Sequence, residues 1–341
     1  MTRILNEKDI RAVLTGAAFF GAGGGGGLET GLSILADVVT QRGDISVKLI
    51  EASDIPEGGS AVAMTGLYTP GALAEKAQRF AREPGVAIAA MQHSAYMAGK
   101  RLEAILPMES GAVSSLIPML CSLESGLPLV DADGCGRGVP GIDVTLFEKG
   151  GIPFSPAVIC DDRGNAVRVY PYQATDGKAA ANMCHYIAAA FNNVAGLGAW
   201  VTSPEDIGTK LVPGALSTAE KVGNAMLSAS ESGSCPCEAL EKLLPLRVLA
   251  SGKVTEKSNS AVVLKSEDGV TYFADMAKVT VRFRTAEETL AVCPELICAV
   301  DMEKGLPVAN EEIAVGQKVR YYALAAPEQW QGHEECWKPY L

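Results

Sequence analysis

The chain has 341 residues, 48% of them apolar and 20% charged, with a formal net charge of −11. That length suits two domains of roughly 100–200 residues each with well-filled cores. The acidic balance argues against a nucleic-acid partner, whose binding rests on Lys and Arg neutralising phosphates, but it leaves room for a local basic pocket and a small anionic substrate.

The N-terminal MTRILNEKDIRAVL is charged and amphipathic and lacks the apolar core and cleavage site of a secretory signal. Asn6 is placed to cap a helix from Glu7 to about Thr15, with Ile10, Val13 and Leu14 on one face. GAAFFGAG follows as a short apolar piece, leading into five consecutive glycines, Gly23 to Gly27. Leu32, Leu35, Val38 and Val39 then give Leu28 to Val39 helical periodicity. ISVKLIEASD and GSAVAMTGLYTPGA read as strands, residues 72–82 as a helix, and VAIAAM as a strand or a buried helix. SGAVSSLIPMLCSLESG is helical in composition, with Pro118 as a kink or a start. LPLV is a four-residue strand running into DADGCGRG; AVICDD and AVRVYPY are further strands, and Ala179–Phe191 and LSTAEKVGNAMLSA are helices. Strands and helices alternating at this spacing predict an α/β layered domain over residues 1–244.

Near Pro245 the pattern changes. Short alternating runs broken by Gly, Asn-Ser and Asp-Gly, with no helix between them, predict antiparallel hairpins. Residues 245–341 are therefore expected to form a β-rich, barrel-like or sandwich domain. No segment approaches the ~18 apolar residues of a membrane span, so a cytoplasmic protein without membrane contact is expected. The nine cysteines have no repeating spacing and read as reduced thiols. Cys235-Pro-Cys237 is the one tight pair, and no second pair stands at zinc-ligand spacing.

Three stretches carry chemistry. The first is the glycine run. Gly21 to Gly26 formally fits G-x-G-x-x-G, but the dinucleotide fingerprint also needs a full strand before it, for which AAFF supplies only a stub. No nucleotide is expected. A glycine run opening a helix exposes backbone N–H groups at the positive end of the dipole, so Gly23, Gly24, Gly25 and Gly26 form either an anion cradle or a tight turn packed under another element. The second is VDADGCGRGVP. Asp131 and Asp133 face the same way if the strand continues through them, beside Cys135 and Arg137. The third is Glu109 with Gly111 in MESGAVSS. His93 reads as a structural histidine, and a divalent cation among the clustered acids is the alternative to purely organic catalysis.

The order of these stretches resembles the S-methyl-thiohydantoin desulfurase-like family, formerly a domain of unknown function found near hydantoinases. GAGGGG after an apolar helix, E-x-G at Glu109–Gly111, and LPLVDADGCGR followed by Pro140 carry the resemblance. ICDDRGN, PGALSTAEKVG and ELICAVDMEKGLPV extend it over nearly the whole chain. Gly138 and Gly141 stand where the family pattern has alanine and an acid, and Ser114 and Ser115 stand near its usual asparagine.

The resemblance implies an α/β domain followed by a β-barrel-like one, and release of methanethiol from an S-methylated thiohydantoin to leave a hydantoin. Carried onto this sequence, it gives a glycine cradle at Gly23–Gly26 and an acidic site of Glu109, Asp131, Asp133 and Arg137. Asp131 or Asp133 is then the expected base, Glu109 a second acid/base or ring N–H acceptor, and Arg137 an anion holder. Cys135 is an alternative nucleophile if arginine lowers its pKa, or a small residue in a glycine turn. The rival to an enzyme is a non-catalytic ligand-binding or accessory subunit of a hydantoinase-type complex. An even-numbered homo-oligomer is expected from the prevalence of symmetric dimers.

Overall fold

A computed structural model of the chain describes residues 2–68, 84–161, 163–173 and 175–341. After strand β1 (Arg3–Asn6), Asn6 starts helix α1 (Glu7–Phe20) with a reciprocal cap. Its Oδ1 accepts the amides of Lys8 and Asp9 at 2.8 and 3.2 Å, and Asp9 accepts the Asn6 amide at 2.9 Å. The helix runs on through AAFF and ends at Gly21. The stub of strand that a dinucleotide fingerprint would need is therefore the last turn of a helix. From Ala12 to Phe20 every residue of α1 is buried, because helix α8 (Ala215–Glu231) lies directly against it. Gly16 faces the Ala219 backbone and Gly223 faces that of Ala12, so that a Cβ at either glycine would collide.

The glycine loop leads into α2 (Leu28–Arg42), β2 (Ser46–Ile50) and β3 (Gly59–Tyr68). The helix expected over 72–82 lies outside the described residues. VAIAAM belongs to helix α3 (Pro84–Met97), followed by β4 (Arg101–Pro107). Pro118 sits inside helix α4 (Ala112–Ser125) without ending it. β5 is only Leu129–Val130. Ala132–Asp133 (β6) leaves the main sheet and pairs with Val212–Pro213 (β10), so the strand does not continue through the two aspartates.

Helix α5 (Leu146–Lys149), strands β7 (Ala157–Cys160), β8 (Ala166–Val169) and β9 (Val194–Thr202), and helices α6 (Gly177–Ala190), α7 (Pro204–Lys210) and α9 (Pro236–Leu243) complete this part. Its eight strands run in the order β1-β2-β5-β4-β3-β9-β7-β8, parallel across β2, β5, β4 and β3 and antiparallel elsewhere. The period-two alternation of β3 divides two cores. Val62 and Met64 pack with α1, α2 and α4, while Ala61 and Ala63 pack with Phe147, Trp200 and α6. A sheet buried on both faces is the expected layered α/β arrangement.

From Arg247 the chain forms a second sheet. Strands β11 (Arg247–Lys257), β12 (Ala261–Lys265), β13 (Thr271–Ala277), β14 (Val279–Arg284), β15 (Thr289–Val292), β16 (Leu296–Asp301) and β17 (Lys318–Leu324) pair antiparallel in the order β15-β14-β13-β12-β11-β17-β16. They curl into a half-barrel with its own core around Val262, Phe283 and Tyr321. Within it, β13 (Thr271–Ala277) and β14 (Val279–Arg284) meet at Lys278, which has φ +65°. That hairpin apex is pushed against the glycine loop: the Thr280 amide donates to the Ala22 carbonyl at 2.9 Å, and the Asn310 amide to that of Gly23 at 2.9 Å. Among the described residues no helix is long and apolar enough to cross a membrane.

Candidate functional site

The glycine run is where the two sheets touch. Gly23, Gly25 and Gly26 all have positive φ, and a side chain at Gly23 or Gly25 would also collide with its surroundings. A Cβ on Gly24 would stand 2.6 Å from Val279, and one on Gly25 would stand 2.5 Å from the Gly111 Cα. The Gly25 carbonyl accepts the first-turn amides of Val113 and Ser114 in α4, each at 3.0 Å. The tight-turn reading of the run thus describes much of its use. The positive end of α2 is taken by the protein's own acids: Glu311 accepts the Gly27 amide at 2.8 Å and Glu312 that of Glu29 at 3.2 Å. Among the described residues, the amides of Gly23, Gly25 and Gly26 have no acceptor.

These glycines line a cavity of about 590 Å³ between the two sheets. Its walls include Glu109, Ser114 and Val139–Ile142 from the first sheet's connections, and Lys278, Asn310 and Glu311 from the second part. Glu109 is buried and held by both oxygens. Oε1 accepts the Ser114 hydroxyl at 2.9 Å, and Oε2 accepts the Val139 amide at 2.7 Å. Burial raises its pKa to about 7, with the two hydrogen bonds and nearby Lys278 opposing the rise and Asp133 adding to it.

The other expected site residues point elsewhere. Asp131 binds the start of α8, where it accepts the Ser217 amide at 3.0 Å and the Ser217 hydroxyl. Asp133 clamps its own turn, accepting the amides of Cys135 (2.8 Å) and Gly136 and the Ser110 hydroxyl at 2.5 Å. Burial pushes its pKa up to about 6, against those three bonds.

Cys135 is fully buried, and burial together with Asp133 and Glu109 drives its thiol pKa up, the opposite of the lowering expected beside arginine. Arg137 is buried completely. Its Nε donates to the Gly138 carbonyl at 2.9 Å, and Nη1 donates to the Glu295 carbonyl at 2.9 Å and to that of Pro294. The guanidinium also stacks on Trp337, 4.4 Å from the ring centre. It faces protein carbonyls and not the cavity.

No three His, Cys, Asp or Glu side chains converge as a metal site among the described residues. Cys235 is exposed while Cys237 is buried. His93 is exposed on α3 and not buried as a structural histidine would be. His185, which sequence reading passed over, reaches the cavity from α6 with Ala181, Cys184 and Ala188. Their i, i+3, i+4, i+7 spacing marks one helical face and was available in the sequence. Lys278 and Asn310 carried no local signal, since only the docking of the second sheet brings them to Glu109.

A family model for S-Me-THD-like N-terminal domains matches residues 8–170, and its C-terminal counterpart matches 175–338. The chain belongs to the S-Me-THD-like family. The family models divide it between 170 and 175, whereas the second sheet begins at Arg247. The S-Me-THD-like C-terminal region accordingly contributes β9 and α8 to the first layered body. A protein from Chromobacterium violaceum, solved by X-ray crystallography, is similar in fold. It shares 23% identity, with 99% of this chain and 95% of that one covered and a TM-score of 0.86. No curated protein matches the sequence.

Gly138 and Ser114 each have a local role. At Gly138 a Cβ would strike the Gly21 carbonyl, and the Gly138 amide bonds the Phe20 carbonyl at 3.1 Å. Ser114 supplies the hydroxyl that holds Glu109.

Proposed function

We propose that the protein is a hydrolase of small cyclic amidine or thiohydantoin rings, releasing methanethiol from an S-methylated thiohydantoin and leaving the hydantoin. The observation that supports this reading most directly is Glu109. It is a buried carboxyl with a pKa raised to about 7, on the wall of a cavity of about 590 Å³. Such a group is poised to take a proton at neutral pH and return it. Replacing S-methyl by oxygen consumes one water, whose oxygen ends on the ring carbon. One proton leaves with the thiol and the other ends on the ring nitrogen.

Glu109, in place of Asp131 or Asp133, is the acid/base of this reading. The two aspartates hold the turns that carry the site, and Cys135 takes no covalent part. The amides of Gly25 and Gly26 are donors for negative charge developing on the ring, with Lys278 as the cation on the same cavity wall. Arg137 is assigned to the protein frame and not to substrate. An even-numbered homo-oligomer remains part of the proposal on general grounds, and sedimentation velocity measures it.

The test is methanethiol release from S-methylated thiohydantoin by wild type and Glu109→Gln. Wild type should turn over, with kcat/KM rising through a midpoint near pH 7, and the variant should lose about 10²–10⁴-fold. Binding of the ring by wild type without turnover would point to the ligand-binding or accessory-subunit reading instead.

A further inference from the structure

Two side chains in this cavity stand in a relation that acid/base catalysis by Glu109 alone does not use. Ser114 lies in the first turn of α4, its own amide tied to the Gly25 carbonyl at 3.0 Å. Its hydroxyl donates to Glu109 Oε1 at 2.9 Å. The Val139 amide, 2.7 Å from Oε2, fixes the carboxyl from the other side. Hydroxyl, base and a third group that orients the base, all within hydrogen-bond reach, is the arrangement of an activated nucleophile. Ser114 and Glu109 both line the cavity, as do Gly25 and Gly26, whose amides have no acceptor among the described residues. The neighbouring hydroxyl differs: Ser110 is engaged by Asp133 at 2.5 Å, and neither of these two lines the cavity.

We propose that Ser114 is the nucleophile of the site and that the reaction passes through a covalent Ser114–ring intermediate. This rests on the thiohydantoin reading above. In the first half, Glu109 takes the hydroxyl proton as Oγ bonds to the ring carbon bearing the S-methyl group. The C–S bond then breaks, and methanethiol leaves with the proton that Glu109 returns. In the second half, Glu109 takes a proton from water as its oxygen bonds to the same carbon. The C–Oγ bond breaks, Oγ recovers the proton from Glu109, and the second water proton ends on the ring nitrogen. No oxidant, reductant or further reactant is consumed. The charge that builds on the ring nitrogen in each half faces the cavity that the Gly25 and Gly26 amides line.

The experiment compares wild type, Ser114→Ala and Ser114→Cys on S-methylated thiohydantoin, with rapid acid quench and intact-mass measurement. Wild type should show an added mass equal to the ring minus methanethiol, mapped to Ser114. Ser114→Ala should show none and lose at least about 100-fold in kcat. Ser114→Cys should carry the added mass on its sulfur. Turnover by Ser114→Ala within about threefold of wild type overturns the proposal. So does a large loss in that variant with no adduct in wild type at any quench time, since the serine then only orients Glu109.

If wild type releases no methanethiol at all, the thiohydantoin reading fails separately. Diisopropyl fluorophosphate then tests the serine by itself. Labelling at Ser114 that is lost in Glu109→Gln supports an activated nucleophile, and absence of labelling overturns it.

Discussion

At Glu109, burial opposes ionisation more strongly than two hydrogen bonds and a nearby lysine favour it, so the carboxyl holds its proton to about pH 7 instead of the usual 4.5. The native state therefore binds more protons than the unfolded chain between those values. The associated stability is fully present below the unfolded pKa and is lost as pH rises through the folded one. Asp133 adds in the same direction, from 3.8 up to about 6. At about 1.4 kcal/mol per unit, Glu109 alone accounts for something on the order of 2–4 kcal/mol. Thermal melts should show Tm falling from pH 5 to pH 8, and the fall should be shallower in Glu109→Gln. Parallel profiles in the two proteins would contradict the buried-carboxyl account. Asp133→Ala should act on the fold. It removes an acceptor from two buried donors and one half-buried one and should cost roughly 2–4 kcal/mol in urea unfolding.

At the scale of elements, the glycine loop and the hairpin apex at Lys278 form one joint. Gly25→Ala would force a side chain into the left-handed region and onto the Gly111 backbone. A loss of roughly 2–4 kcal/mol is expected, read as a shift in the urea midpoint. A variant as stable as wild type would mean that the loop can move away from α4. The elements themselves were largely legible in the sequence. Asn6 announced its helix, and the alternation after Pro245 announced the hairpins. The errors were those of local reading. AAFF gave no local sign that α1 continues to Phe20, because its burial comes from α8, more than 190 positions later. LPLV reads as a strand, and whether it continues through the two aspartates was open; the chain turns at Asp131 to satisfy the start of α8, a partner that nothing nearby foretells. The motif order led to the glycine run and Glu109, which line one cavity. It could not distinguish Glu109, which reaches the cavity, from Asp131 and Asp133, which hold turns.

Across the whole molecule, Arg137 ties the first layered body to the second. It carries its charge on the carbonyls of Pro294 and Glu295 and on the face of Trp337, which lies near the C-terminal end of the chain. Arg137→Met keeps the stem but removes the donors, leaving the buried Gly138 carbonyl and the half-buried carbonyls of Pro294 and Glu295 without this partner. Roughly 3 kcal/mol or more should be lost, checked by chemical unfolding followed at tryptophan. A change below about 0.5 kcal/mol would show that the arginine is replaceable at the joint.

The cavity also has walls from both bodies, so its electrostatics depend on how one is seated on the other. Lys278 reaches it from the half-barrel, and its charge opposes the rise in the Glu109 pKa that burial causes. The proton affinity of Glu109 is thus a property of both bodies together, and a change at the hairpin apex would be felt by a carboxyl across the cavity.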